Sequence, residues 1–272
     1  IALIGALAEQ PRIQGAGSSW VNPSHVSNAL DGFTARGLDF TFHPGYALKG
    51  SEEASLAEAA IAAAKGCDVV VLFAGLPAVY ESEGYDRTDM KLPAQQNELI
   101  ERLAQTNPNI VVVLSGGAPV EMPWLPKVKA VLNMYLPGQA GGLATVDLLT
   151  GIVNPSGKLA ESYPFVYEDV PSSGFFEQGG RQAQYREGIY VGYRYYDKAK
   201  KAVCFEFGHG LSYTTFEYFD LRLSAEDVRE GEGLTVSLTV RNSGKVDGAE
   251  VVQLYVSDMD QKVFRPEKEL KG

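Results

Sequence analysis

Val69-Val70-Val71-Leu72-Phe73-Ala74-Gly75-Leu76 contains no polar residue, so as a strand it has no face to turn to water. A continuous apolar run of this length, closed by glycine, reads as a strand covered on both sides. Ile110 to Leu114 repeats the pattern and runs into Ser115-Gly116-Gly117-Ala118-Pro119; Ala130 to Leu136 repeats it again. Between them, Ala94 to Gln105 mixes polar and apolar residues as a surface helix does. Strands without inside-outside alternation, separated by helices, predict a mostly parallel sheet with helices on both faces, an α/β sandwich.

Working outward, Ile1 to Ala6 is a short buried strand and Leu38 to His43 another. Gln14-Gly15-Ala16-Gly17-Ser18-Ser19 is a turn-rich loop. Pro23 to Ala35 is read as a helix capped by Ser24, and Ser55 to Lys65 as a helix with Leu56, Ala60 and Ala63 on its buried face. Pro137-Gly138-Gln139-Ala140-Gly141-Gly142 leads into a helix from Leu143 to Leu149. Residues 1–161 are thus expected to form one α/β domain. Residues 162–215 lose helical periodicity and gain glycine and tyrosine. They read as an ordered connector with a hairpin near Tyr185 to Tyr196. From Phe216 the pattern alternates strictly, in Phe219 to Leu223 and Leu234 to Val240, with a turn at Asn242-Ser243-Gly244 and a further strand from Val251 to Val256. Residues 216–272 are read as the start of an immunoglobulin- or fibronectin-type β-sandwich. About 55 residues supply only three or four of its roughly seven strands.

The 272 residues carry a formal net charge of -10, which argues against nucleic acid or anionic membrane as a main partner. No apolar run reaches the roughly 18 residues of a membrane span. Cys67 and Cys204 sit in or beside strand-like segments and are expected to be reduced, without metal-type spacing. His25, His43 and His209 form no metal or triad pattern; His209 is read as structural, at a joint between domains. The chain begins at Ile1, already inside a strand, and is expected to be a fragment. With no Asn-X-Ser/Thr sequon outside Asn-Pro-Ser, nothing points to a glycosylated secreted form, and a cytoplasmic location is slightly favoured.

Chemistry is sought on the loop Val79-Tyr80-Glu81-Ser82-Glu83-Gly84-Tyr85-Asp86-Arg87, just past the carboxyl end of the quoted strand, where open α/β sheets place ligands. Taken alone, it reads first as a solvated charged loop, and the rest of the chain is what favours chemistry there. Trp20 and Tyr80 are candidates for an aromatic wall against a ligand ring, and Ser18 and Ser19 for hydrogen-bond donors to it. Gly15-Ala16-Gly17 fails as a dinucleotide fingerprint, because Glu9 to Arg12 separate it from the strand and the third glycine is missing.

Six motifs, in order along the chain, resemble the carboxyl-terminal half of glycoside hydrolase family 3, the family of many β-glucosidases. They are Arg12 to Ser19; Glu83-Gly84-Tyr85-Asp86-Arg87 with Leu92-Pro93; Tyr135 to Gly142; Asn154-Pro155-Ser156-Gly157-Lys158-Leu159; Tyr185 to Asp197; and Phe207-Gly208-His209-Gly210-Leu211-Ser212-Tyr213-Thr214-Thr215-Phe216. The resemblance implies an α/β sandwich followed by a fibronectin type III-like domain. It also implies a separate barrel domain, before Ile1 or after Gly272, that carries the aspartate nucleophile and chooses the sugar. A retaining glycosidase needs a second carboxyl group to protonate the leaving oxygen. The resemblance assigns that role to Glu83, with Glu81 as the alternative. Such an acid needs its pKa raised. Arg87 is therefore expected to pair with Asp86, Asp89 or Glu81 and not Glu83, and Asp86 and Arg87 are read as bracing the loop. The implied substrate is a β-glucoside or short β-linked oligosaccharide. No cofactor or metal is implied; the implied partner is the barrel, and homo-oligomerisation is left open. Without the nucleophile the chain alone is expected to be inactive. The competing reading is a non-catalytic carbohydrate-binding module of the same fold.

Overall fold

The structure, a computed structural model, describes residues 1–48, 53–176, 182–260 and 262–272. Five strands, β1 (Ala2–Ile4), β2 (Thr41–His43), β3 (Val70–Gly75), β4 (Ile110–Ser115) and β5 (Ala130–Tyr135), form one parallel sheet in the order β2-β1-β3-β4-β5. Every residue of β3 is buried, as its unbroken apolar sequence requires. The helices are α1 (Ala29–Ala35), α2 (Glu53–Ala64), α3 (Ala94–Ala104) and α4 (Gly141–Leu149). α1 packs on α4 and α2 on α3, so both faces of the sheet are covered. The α1–α4 crossing is close: a Cβ on Gly142 would lie 2.5 Å from the Asn28 Cα.

In this strand order the chain winds one way from β1 and the other way from β3, so the crevice of the sheet opens between their carboxyl ends. That reversal places the loop after β1 beside the loop after β3.

Helix α1 starts later than expected. Its cap is Asn28, whose Oδ1 accepts from the Asp31 N–H at 2.8 Å, and not Ser24. The residues from Pro23 to Ser27 run to Gln139 instead, where the Ser27 N–H donates to the Gln139 carbonyl. The hairpin expected near Tyr185 to Tyr196 is also absent. The helix α5 (Tyr193–Ala199) occupies its second half, entered through Gly192 at φ 56° and left through Lys200 at φ 53°. Tyrosines favour strands in isolation, but Tyr196 is buried here and Tyr193 packs on Phe207 and Tyr255, so tertiary contact decides the conformation.

Beyond the sheet, β6 (Phe216–Leu223) and β7 (Val236–Asn242) pair antiparallel, with a register shift between Phe219 and Arg222. The strand expected over Val251 to Val256 shrinks to β8 (Tyr255–Val256), paired with β9 (Glu269–Leu270). Cys67 and Cys204 are free thiols packed against the core. Among the described residues no helix is long and apolar enough to cross a membrane.

Candidate active site

The site is assembled from the loops that leave the carboxyl ends of the strands. Arg12-Ile13-Gln14 organises the one after β1. Gln14 closes it on itself, its Nε2 donating to the Val21 carbonyl and its Oε1 accepting from the Val21 N–H. The Ile13 carbonyl accepts from the Gly138 N–H beyond β5. Arg12, with its side chain only 8% exposed, reaches across to the loop after β3.

There the two glutamates part company. Glu81 is fastened: its Oε2 pairs with Arg12 Nη1 at 2.5 Å, and both carboxylate oxygens accept from the Gly117 N–H after β4. Arg12 also donates to the backbone carbonyls of Leu76 and Glu81, so one guanidinium holds both ends of the 3-10 turn Ala78–Tyr80. Glu83 is exposed, on a tight reversal that bridges Ser82 to Tyr85 across Gly84 at φ 81°. Its carboxylate is anchored by Ser18, whose N–H donates to Glu83 Oε2 at 2.5 Å, and its backbone N–H donates to the Ala16 carbonyl at 3.4 Å. Gly17 makes this approach possible. It sits at φ 91°, and a Cβ there would lie 2.5 Å from the Glu83 Cβ.

Hydrogen bonding from Ser18, through its hydroxyl and then its backbone N–H, holds the Glu83 carboxyl below the usual carboxylate range. This reverses the raised pKa expected of a proton donor. The cause is geometric: the side chain is exposed to solvent and faces the Ser18 donors, which outweigh the small effect of desolvation.

Trp20 and Tyr80 are both outside the core, Trp20 64% and Tyr80 43% exposed, on the two loops that Ser18 and Glu83 join. Arg87 does not pair as expected. Among the described residues it forms no ion pair with Asp86, Asp89 or Glu81; its Nη1 donates to the Pro119 carbonyl at 3.2 Å and its buried Nη2 has no partner. Burial lowers its pKa, offset by Glu81, Asp89 and Glu121. The guanidinium is turned away from its loop neighbours into a cleft that Met90, Pro119, Glu161 and Pro164 help to line, where the Pro119 carbonyl is its acceptor. The cleft of about 360 Å³ beside Arg87 also exposes Glu161.

Two residues of this region carried no sequence signal. Glu161 is half-buried, and desolvation raises its pKa, opposed by a hydrogen bond from Tyr135 and helped by Glu81. Gln96 is buried in α3, where its Oε1 accepts from the Gly75 N–H and its Nε2 donates to the Gly75 carbonyl, sealing the end of β3. A polar residue on a helix gives no hint of this; only the close approach of α3 to β3 reveals it. Among the described residues no group of three or more His, Cys, Asp or Glu gathers to hold a metal.

The fold and this site define a doubly wound α/β unit that presents the exposed Glu83 carboxylate at its topological switch point. Residues 1–213 match the glycosyl hydrolase family 3 C-terminal domain, and the chain belongs to that family. It is 50% identical to thermostable beta-glucosidase B of Acetivibrio thermocellus, covering all of this chain and 37% of that protein. It is 43% identical to an exo-alpha-(1->6)-L-arabinopyranosidase of Bifidobacterium longum, covering all of this chain and 36% of that one. Among solved structures it resembles a family 3 beta-glucosidase of Bifidobacterium adolescentis, at a TM-score of 0.92 and 43% identity over all of this chain and 40% of that one. The chain therefore spans little more than a third of the length of these curated relatives.

Proposed function

We propose that this chain is the acid/base-bearing part of a retaining β-glycosidase acting on β-glucosides or short β-linked oligosaccharides, with Glu83 as the proton donor. The observation that carries the choice is the contrast between the two glutamates: Glu81 is held by Arg12 and Gly117, whereas Glu83 is exposed at the switch point, where its bond to Ser18 joins the two loops that carry the exposed Trp20 and Tyr80. In this reading a sugar lies against the two aromatics, and an aspartate outside this chain attacks its anomeric carbon. Glu83 gives its proton to the departing oxygen and then takes one from the attacking water. The depressed pKa of Glu83 belongs to its solvated contact with Ser18. Covering the crevice with substrate and a nucleophile-bearing domain removes water from the carboxyl and raises its pKa towards the working range.

The sugar is selected elsewhere on this reading. Relatives named for a glucosidase and for an arabinopyranosidase share this half at 50% and 43% identity, which supports that division.

The test uses the intact enzyme containing this chain, wild type against Glu83→Ala. Cellobiose cleavage is expected to fall by about 10²–10⁴-fold, the range of general acid catalysis. An aryl β-glucoside with a good leaving group, which needs no proton in the first step, suffers less and is rescued by azide. Full activity of Glu83→Ala on both substrates would refute the assignment; a wild type that binds sugars without cleaving either substrate would favour a carbohydrate-binding module.

A further inference from the structure

We infer that Arg12 and Glu81 form a positioning clamp for the proton donor, an inference that rests on Glu83 holding that role. The clamp joins three loops at one point. Arg12 comes from the loop after β1, Glu81 from the loop after β3, and the Gly117 N–H from the loop after β4. Arg12 spends its two terminal nitrogens on three acceptors: the Leu76 carbonyl where the loop leaves the sheet, the Glu81 carboxylate, and the Glu81 carbonyl at the far end of the 3-10 turn.

The consequence for Glu83 follows from chain length. Only Ser82 separates Glu83 from the last fixed carbonyl, so displacement of Glu81 carries Glu83 with it. Beyond Glu83 the chain turns straight back through Gly84 at φ 81°, the Tyr85 N–H donating to the Ser82 carbonyl, so this side of the loop is tied to Ser82 and through it to the clamp. The donor is thus held from its amino-terminal side, by the clamp, and by Ser18. Burial argues in the same direction. The Arg12 side chain is 8% exposed and its Nε has no partner among the described residues, so the guanidinium is kept buried at a cost. A surface ion pair would add little and would not need this enclosure. Lysine cannot replace arginine here, because a single ammonium cannot span the planar set of acceptors.

The experiment compares Arg12→Ala, Arg12→Lys and Glu81→Gln with Glu83→Ala in the intact enzyme, on cellobiose and on an aryl β-glucoside with a good leaving group. Misplacing a catalytic group by about 1 Å costs on the order of 10²-fold. Arg12→Ala should therefore lose that factor in kcat on cellobiose, with KM little changed and azide restoring part of the aryl-glucoside rate. Arg12→Lys should fall between wild type and Arg12→Ala. The diagnostic quantity is the ratio of the two substrates' rates, which loss of folded enzyme leaves unchanged because it lowers both equally. If Arg12→Ala fails to fold, Arg12→Lys and Glu81→Gln still report that ratio. An unchanged ratio in every clamp variant, alongside collapse and azide rescue of Glu83→Ala, overturns the clamp and leaves the donor intact. Full activity of Glu83→Ala with azide-rescued loss in Glu81→Gln overturns the donor assignment itself and makes Glu81 the acid.

Discussion

At the scale of single residues, the site turns on how two carboxylates two positions apart are treated by their neighbours. Ser18 stabilises the ionised form of Glu83 and so holds its pKa down. A general acid works only while protonated, so activity is lost as pH rises through its pKa, and a lowered pKa moves that loss to lower pH. Ser18→Ala removes the hydroxyl and leaves the backbone N–H. The basic limb of the kcat/KM profile, which reports the free enzyme, should then shift to higher pH, while the acidic limb stays with the nucleophile. A basic limb that stays in place would show that the Ser18 contact is absent from the working enzyme. An acidic loop after a buried strand and a glycine loop beside it are local patterns, so Trp20, Tyr80 and Ser18 could be nominated from the sequence, while Glu83 was singled out by the family resemblance. The division of labour between Glu81 and Glu83 was not legible there, since it depends on Arg12, about seventy positions away in sequence from its partner. Nor was the behaviour of Arg87, whose environment comes from Pro119 and the segment around Pro164.

At the scale of elements, the apolar runs sufficed to place β3, β4 and β5, since a strand buried on both faces can contain little else. Starts and ends were harder. Asn28 and Ser24 are both capable caps, and the choice between them is made by Ser27 and Gln139, not by helix propensity. The alternating residues of β6 and β7 gave the strands but not their bulge at Asp220, where φ is 55°. Gln96 shows why an element can matter to a loop it does not belong to. Its amide makes both hydrogen bonds to Gly75, so α3 returns to hold the strand end from which the Glu83 loop departs. Gln96→Leu keeps the bulk but leaves a buried N–H and a buried carbonyl unpaired. A loss of about 2–4 kcal/mol is expected from two such groups, read as a lowered denaturation midpoint of the intact enzyme. A midpoint within error of wild type would mean that water reaches Gly75.

At the scale of the whole molecule, the parallel sheet and the β6–β7 pair are joined through a few polar contacts rather than a broad apolar face. Asn154 Oδ1 accepts from the Ser212 hydroxyl and the Tyr213 N–H, and its Nδ2 donates to the Asp247 carbonyl. The Leu159 N–H donates to the His209 carbonyl, and the Gly208 N–H to the Leu159 carbonyl. His209 itself stacks on Phe205 at 5.0 Å, as a structural residue at a joint would. At the centre lies the ion pair Lys158–Glu250, 2.9 Å apart with each side chain 14% exposed, and Lys158 also donates to the Gly210 carbonyl. The Asn-Pro-Ser-Gly-Lys-Leu and Phe-Gly-His-Gly motifs were visible in the sequence, but their mutual pairing was not, because fifty residues of connector separate them. A partly buried pair is costlier to halve than to remove whole. Glu250→Gln removes the countercharge from the Lys158 ammonium, which keeps the Gly210 carbonyl, and should destabilise the joint by about 1–2 kcal/mol. Hydrogen exchange at the Leu159 and Gly208 amides should accelerate accordingly, with amides inside β3 and β4 unaffected. The double variant Lys158→Met, Glu250→Leu should recover most of that protection, since it leaves neither charge behind. Equal exchange in wild type and Glu250→Gln would instead assign the joint to the Asn154 and Leu159 hydrogen bonds. The ion pair would then be a bystander, and the contact between the two parts would rest on the Asn154 side chain and the Leu159 backbone bonds.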